Sequence, residues 1–293
     1  MSPTRQIVPI RATELRDWRI VDLRPPLIYR RGHPQGALSL SRDELERSLF
    51  LLPPRATPVA FIHTDPGVAE GAAVWLAARG WRTTGWIAAA DRVLARTTVE
   101  GAEAVTLWAP AETLVRERVR LGRLAQRARR ALDLACGSGR NSVHLARLGF
   151  EVTGLDILED ALVQARRVAR STGPLLGAVS FRRADLTTPA ASARWLRPAQ
   201  WNAIVVFRYL DRALLPRIER ALAPGGLLIY ETFLEEQARI HGRPRRPEFL
   251  LKPGELRASF RDLEIVEYRE GPDSEDNRLA TLVARQRKKR SAG

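Results

Sequence analysis

The stretch Ala131–Asp156, ALDLACGSGRNSVHLARLGFEVTGLD, constrains this 293-residue chain more than any other part of it. An apolar run, Ala131 to Leu134, enters the small-residue turn Ala135-Cys136-Gly137-Ser138-Gly139. A helical pattern follows, with Val143, Leu145, Ala146 and Leu148 apolar. That order predicts strand, tight turn, helix. The next strand, Phe150 to Leu155, ends in Asp156, seventeen residues beyond Gly139. An open α/β sheet places there the acid that accepts the hydroxyls of a ribose, and glycines in the turn let the backbone approach the ligand. A nucleoside-bearing ligand is expected.

The turn lacks the third glycine of a dinucleotide fingerprint, with Arg140 and Asn141 where it could come, and Asp133 stands just ahead of it. A pyrophosphate would want free helix N-terminal amides. The spacing instead resembles motif I of class I S-adenosylmethionine-dependent methyltransferases. A glycine turn alone fits any close strand-to-helix junction, but three further segments follow in order. FRRADL (Phe181 to Leu186) resembles the third-strand motif of that family, WNAIVVFRYL (Trp201 to Leu210) its fourth strand, and ALAPGGLLIYETF (Ala221 to Phe233) its fifth strand and the preceding loop. The resemblance implies S-adenosyl-L-methionine as cofactor. Asp156 would hold the ribose, Asp185 and Leu186 the adenine, and Gly137 and Gly139 the amino-acid end. Asp133, Ala135, Ile157 and Phe207 complete the implied cofactor-binding set.

Composition narrows the setting. A 45% hydrophobic content supplies proper cores, and no apolar run approaches the roughly 20 residues of a membrane span. Met1 to Ile10 lacks the apolar stretch of a signal peptide, so a soluble, cytoplasmic protein is expected, without a membrane partner. The single cysteine, Cys136, excludes an intramolecular disulfide, and the four histidines are scattered without ligand-like spacing, so no metal is expected. The formal charge of +15 invites a nucleic-acid reading. The cations are almost all arginine, however, as a GC-rich coding bias would also produce. Residues 1–107 carry 14 arginines against 11 acids, and the other 34 basic and 22 acidic residues lie beyond.

Toward the N-terminus, WRIVDL (Trp18 to Leu23) reads as a buried strand. Val21-Asp22-Leu23-Arg24, then Tyr29, then Gly32-His33-Pro34-x-Gly36-Ala37 resemble the first half of a rhodanese-like domain. That family ends its next strand, here PVAFI (Pro58 to Ile62), in a catalytic cysteine, and the position falls on His63. Asp65, Pro66 and Glu70 change the anion-cradling loop, where the two acids would repel a thiosulfate, a helix is expected over Ala69 to Arg79, and the glycine pair expected near the domain's end is replaced around Ala88 and Ala89. The resemblance implies the fold without the sulfurtransferase chemistry, kept for packing, dimerisation or substrate recognition.

Ala111 to Arg130 is expected as one amphipathic helix with a basic outer face. After the fourth strand, where the resemblance places groups that meet the substrate, stand Arg208, Tyr209, Asp211 and Arg212. Tyr209 could orient or deprotonate a nucleophile, or merely cap the strand, and Arg208 and Arg212 can bind an anion. Arg208 and Tyr209 are the catalytic candidates. A helix over Ala213 to Leu222 leads through Pro224-Gly225-Gly226 to a strand at Leu227 to Tyr230. The segment Glu231 to Glu255 is too long for a routine connection and is expected to be a lid, with Arg212, Glu231, His241, Arg246 and Phe249 as substrate-binding candidates. Two strands, Leu263 to Tyr268 and Leu279 to Ala284, and the basic tail Arg285 to Arg290 end the chain.

RYLDR, LAPGGLLIYETF and RPRRPEFLLKPGEL resemble bacterial methyltransferases of the tellurite-resistance type. The expected architecture is α/β throughout: a rhodanese-like domain over residues 1–98, a linker over 99–110, and a Rossmann-like, seven-stranded class I methyltransferase domain over 111–293. The expected function is methyl transfer to a small molecule or oxyanion. The alternatives are an RNA methyltransferase that uses the basic catalytic half and a non-catalytic S-adenosylmethionine-binding or adaptor protein. Oligomeric state is left open.

Overall fold

The structure, a computed structural model, describes residues 6–88, 98–101 and 105–288. The chain divides into two compact units, Met1–Ala109 and Pro110–Gly293.

The first unit runs β1 (Gln6–Pro9), β2 (Arg19–Asp22), α1 (Pro26–Arg31), β3 (His33–Pro34), β4 (Leu38–Ser39), α2 (Arg42–Leu45), β5 (Val59–His63), α3 (Pro66–Ala78), β6 (Thr83–Ala88) and β7 (Thr98–Val99). Five strands form a parallel sheet in the order β1-β6-β5-β2-β4. Val59 to Ile62 of β5 are wholly buried, as expected for a central parallel strand covered on both faces. His63 closes that strand half-buried, and its Nδ1 accepts the Asp65 amide at 3.0 Å. Asp65 in turn accepts the Gly67 amide at 2.8 Å and caps α3, which therefore starts three residues earlier than Ala69. Thr98, expected to end the first domain, and Val99, expected to open the linker, pair as β7 with β3, and Gly101 donates to the Arg30 carbonyl. Ala89 and Lys289 to Gly293 lie outside the described residues.

The second unit follows with α4 (Glu112–Arg116), α5 (Arg118–Ala125), β8 (Arg130–Leu134), α6 (Arg140–Arg147), β9 (Glu151–Asp156), α7 (Glu159–Ser171), β10 (Ala178–Arg183), α8 (Pro189–Trp195), β11 (Trp201–Phe207), α9 (Leu215–Ala221), β12 (Leu222–Phe233), α10 (Glu235–His241), α11 (Glu255–Ser259), β13 (Glu264–Pro272) and β14 (Arg278–Arg285). Its seven-stranded sheet has the order β10-β9-β8-β11-β12-β14-β13. Five strands are parallel, and the β13–β14 hairpin adds antiparallel strands at one edge. The direction of winding reverses between β8 and β11, so the crevice beyond their carboxyl ends is where such a sheet takes a ligand.

Alternation along the strands builds a core on each face. Leu132, Leu134, Leu155, Ile204, Val206 and Leu228 pack with α9 and α11, whereas Ala131, Val152, Ala203, Val205 and Ile229 pack with α4, α5 and α6. Three boundaries differ from the sequence reading. The helix expected over Ala111 to Arg130 is two helices broken at Glu117, whose carboxylate takes the Arg120 guanidinium at 2.7 Å. The helix expected over Ala213 to Leu222 is a 3-10 turn, Arg212–Leu214, followed by α9. The fifth strand starts at Leu222 rather than Leu227: Trp201 faces Leu222 and Ala203 faces Leu227, so Ala223 to Gly226 bulge out of the ladder.

Gly154 and Gly122 separate two uses of glycine. A Cβ on Gly154 would lie 2.7 Å from Phe181 Cδ1 and 2.9 Å from Ser142 Oγ, whereas one on Gly122, inside α5, meets nothing within 4 Å. Gly154→Ala is expected to lower unfolding free energy by about 1–3 kcal/mol through overpacking. Gly122→Ala is expected to raise it by about 0.5–1 kcal/mol through helix propensity. Urea denaturation at unchanged m-value checks both.

Candidate functional site

The turn after β8 adopts conformations that only its composition permits. Ala135 has φ 54°, Gly137 52° and Gly139 72°. A side chain at Gly139 would collide with Ala165 at 2.7 Å and the Phe181 ring at 2.8 Å, so this glycine lets α6 and α7 close on the strands. Gly137 differs: a Cβ there meets nothing within 4 Å, so open space lies above it. Beneath the turn, Asp133 is buried and accepts a hydrogen bond from Ser142 Oγ at 2.5 Å. Burial pushes its pKa up to about 7 against the lowering effect of Ser142, with nearby Asp156 adding to the rise. Asp133 therefore holds the start of α6 to β8 from below and is too deep to touch a cofactor, which corrects its place in the expected binding set. Burial, Asp133 and Asp156 together push the Cys136 thiol upward, so it is an inert thiol.

Asp156, at the end of β9, ties two turns together. Its Oδ2 accepts the Gly137 amide at 2.8 Å and its Oδ1 the Leu158 amide at 3.0 Å. Both oxygens keep further acceptor capacity. Ile157 is 49% exposed beside it. On the next strand end Asp185 is half-buried and accepts the Thr187 amide at 3.0 Å and hydroxyl at 2.6 Å. Leu186 instead points into the main core at 6% exposure, so its expected contact with a ring is corrected to a packing role. Phe207, half-buried, packs with the opposite core cluster.

Tyr209 follows β11, with its pKa pushed up to about 12 by burial and then by the charges of Asp211, Asp185 and Asp156. That shift brings Tyr209 and the two strand-end acids into one field, and it makes the phenol a hydrogen-bond donor, not a base. Arg208 has φ 58°, unusual for a residue with a side chain. Its guanidinium lies 4.9 Å from the Phe233 ring centroid, 2.9 Å from Asp273 and 3.6 Å from Glu231. Glu231 is itself buried and accepts from Thr113 Oγ1 at 2.6 Å and Thr281 Oγ1 at 3.0 Å. Its expected substrate contact is therefore corrected: it fastens α4 and β14 to β12 and balances Arg208. Asn141, where a third glycine could have come, accepts the Ala111 amide at 2.9 Å.

The insertion is shorter at its start than expected, because β12 runs to Phe233. Leu234 and Leu251 form a parallel bridge that closes its base. Arg212 holds the loop: its Nε and Nη2 donate to Glu255 at 2.6 and 3.0 Å, and the guanidinium also reaches the carbonyls of Glu248 and Leu250 at 2.9 and 2.8 Å. The Arg212 contact holds Glu255 below the usual carboxylate range. So Arg212, expected to bind an anion, is spent inside the fold. His241 Nε2 donates to the Asp276 carbonyl at 2.8 Å, which fastens α10 to the β13–β14 turn. Arg246 and Phe249 are exposed. Sequence reasoning missed Ser142, Thr113, Glu255 and Asp273, whose roles come from partners distant in the chain.

Two tests follow from this geometry. Asp133 holds its proton up to about pH 7 in the folded state but only to about pH 4 when unfolded, so stability falls as pH rises across that window. Asp133→Asn, which can still pair with Ser142, is expected to flatten the slope, gaining on the order of 2 kcal/mol relative to the parent between about pH 4.5 and pH 7.5 in urea unfolding. Arg212→Ala or Glu255→Ala is expected to speed tryptic cleavage after Arg245 several-fold, read by mass spectrometry, with the global melt little changed.

Comparison with known proteins agrees with the site's form. Residues 131–226 match the family model described as a methyltransferase domain. YqeM of Bacillus subtilis, a protein classed with methyltransferases, is 51% identical over 111 residues, 35% of this chain and 41% of its own. The ubiquinone biosynthesis O-methyltransferase of Idiomarina loihiensis is 28% identical over 109 residues, 36% of this chain and 42% of its own. The 23S rRNA (uracil(1939)-C(5))-methyltransferase RlmD of a Shewanella species is 38% identical over 71 residues, 24% of this chain and 15% of its own. The chain thus spans less than half the length of these curated relatives. Among solved structures, TehB of Haemophilus influenzae superposes at a TM-score of 0.45 with 22% identity, covering 58% of this chain and 62% of its own. Residues 131–226 are thus similar to a methyltransferase domain.

Proposed function

We propose that the chain transfers the methyl group of S-adenosylmethionine to a small-molecule or oxyanion acceptor, as the tellurite-resistance type of enzyme would. The observation that carries this reading is Asp156, aimed by the Gly137 and Leu158 amides beside the open space over Gly137. These residues fit the cofactor: Asp156 would accept the ribose hydroxyls, the Gly137 turn would admit the amino-acid end, and Ile157 and Asp185 would border the adenine. The bound cofactor supplies an activated methyl on a sulfonium. The protein's share is alignment of the acceptor, which lowers the barrier without acid or base strength. Tyr209 would orient the acceptor by donating its hydroxyl hydrogen, and Arg208 would bias the site toward an electron-rich acceptor.

Support for an anionic acceptor comes from the insertion. Arg243, Arg245 and Arg246 are exposed and have no carboxylate partner among the described residues, and Phe249, 42% exposed, offers an apolar contact beside them. We take the first unit to be a rhodanese-like domain without sulfurtransferase chemistry: His63 ends β5 and is engaged with the Asp65 amide, with no thiol there to carry sulfur. No helix among the described residues is long and apolar enough to cross a membrane.

Isothermal titration with S-adenosylmethionine, followed by transfer of labelled methyl into host extract split into RNA and small-molecule fractions, tests this reading. Asp156→Ala is expected to weaken cofactor binding at least tenfold, and label is expected in small molecules. Label in RNA, removed by nuclease, would replace the acceptor with RNA. Folded protein that binds no cofactor would leave a non-catalytic adaptor.

A further inference from the structure

The opposite end of the same sheet carries a second concavity. Across β8, β9 and β10, register pairs Leu132 with Thr153 and Thr153 with Ser180. Leu132 and Leu155 face the core under α9, so alternation turns Thr153 and Ser180 to that same face. The connection from β10 to β11 contains only the seven-residue α8, and these two hydroxyls are left half-buried at the floor of a groove of about 470 Å³. That size is within the range of small-ligand sites, roughly 300–1,000 Å³.

The walls are chemically specific. Trp195 forms one side, held in place because Trp201 Nε1 donates to its carbonyl at 2.7 Å. Arg130, Arg194 and Arg197 form the rim, and among the described residues none of them pairs with a carboxylate. Arg130 and Arg194 lie 5.1 and 4.9 Å from the ring centroids of Trp201 and Trp195, so their charges stay at the groove. Glu151 is the single acid in the lining, so the groove is net positive. Thr153 Oγ1 makes no hydrogen bond within the described residues, and Ser180 Oγ makes a long one, 3.5 Å, to the Val152 carbonyl.

We propose that this groove binds a nucleotide unit, its base against Trp195 and its phosphate between Arg194 and Arg197, with Arg130 opposite and the Thr153 and Ser180 hydroxyls at the sugar. Indole stacking plus unpaired guanidinium groups is the chemistry that holds single nucleotides and single strands alike. The site lies at the amino ends of the strands, away from Asp156, and does not depend on the acceptor chosen above.

The test uses the full chain with saturating S-adenosylhomocysteine, so that the strand-end crevice does not take the probe. Uridine monophosphate is followed by equilibrium dialysis and a fluorescein-labelled oligouridylate of about ten nucleotides by anisotropy. Expected is binding of one or both, weakened at least tenfold by R194E/R197E, with the salt slope for the oligomer reduced by about 1.4. Trp195→Ala is expected to cost about tenfold as well. Circular dichroism of the arginine variant, whose substitutions are on exposed residues, secures the comparison. Equal binding of the monophosphate and the oligomer identifies a free nucleotide as ligand; binding of the oligomer alone identifies RNA. The proposal is overturned by binding of neither probe, by binding that R194E/R197E leaves unchanged, or by inorganic phosphate competing as well as uridine monophosphate.

Discussion

The Asp156 carboxylate is the constraint on which the candidate site depends. It stands between the glycine turn after β8 and the entrance to α7, and it accepts one amide from each. A charged acceptor on two backbone donors is among the stronger hydrogen-bonding arrangements a protein offers. Here it fixes the distance between the glycine turn and the entrance to α7. The left-handed backbone at Ala135, Gly137 and Gly139 costs conformational freedom, and that cost is met by the close packing of Phe181 and Ala165 that Gly139 allows. Binding capacity and core packing are therefore coupled through this one turn.

Charge is distributed around that centre in layers. Asp133, below, is pushed toward its neutral form by burial and by Asp156. Asp185 and Tyr209, at the same level, share a field that keeps the phenol protonated. Arg208 stands opposite, its guanidinium against Asp273 and Glu231. An acid-rich floor with one positive group at its side suits a sulfonium-bearing ligand electrostatically, since the floor attracts the cation and the arginine limits how many acids remain uncompensated.

What the sequence made legible follows from range. The strand, turn and helix of Ala131 to Asp156 could be read because apolar period, glycine spacing and terminal acid all lie within one short window. The buried strands around it could be read for the same reason. Long-range pairing was invisible. Arg212 and Glu255 are 43 positions apart, and Thr113 and Glu231 are 118 apart. Nothing local distinguishes an arginine that waits for a ligand from one that already holds a loop. Leu186 and Glu231 show the companion problem: adjacent positions at a strand end point to opposite environments, so a motif can be matched while one of its members turns into the core.

The same alternation accounts for the groove at the far end. A parallel sheet normally needs helices on both faces, and strands covered on both sides are apolar throughout. β9 and β10 depart from that rule on one face, with Thr153 and Ser180 where β8 and β11 carry Leu132 and Ile204. Polar residues there match a face that α8 is too short to cover. Had the exposed face served only to avoid aggregation, charged residues of both signs would suffice. Here three arginines against the one acid, Glu151, stand with two tryptophans around two hydroxyls, a bias in charge and ring content that solubility alone does not require.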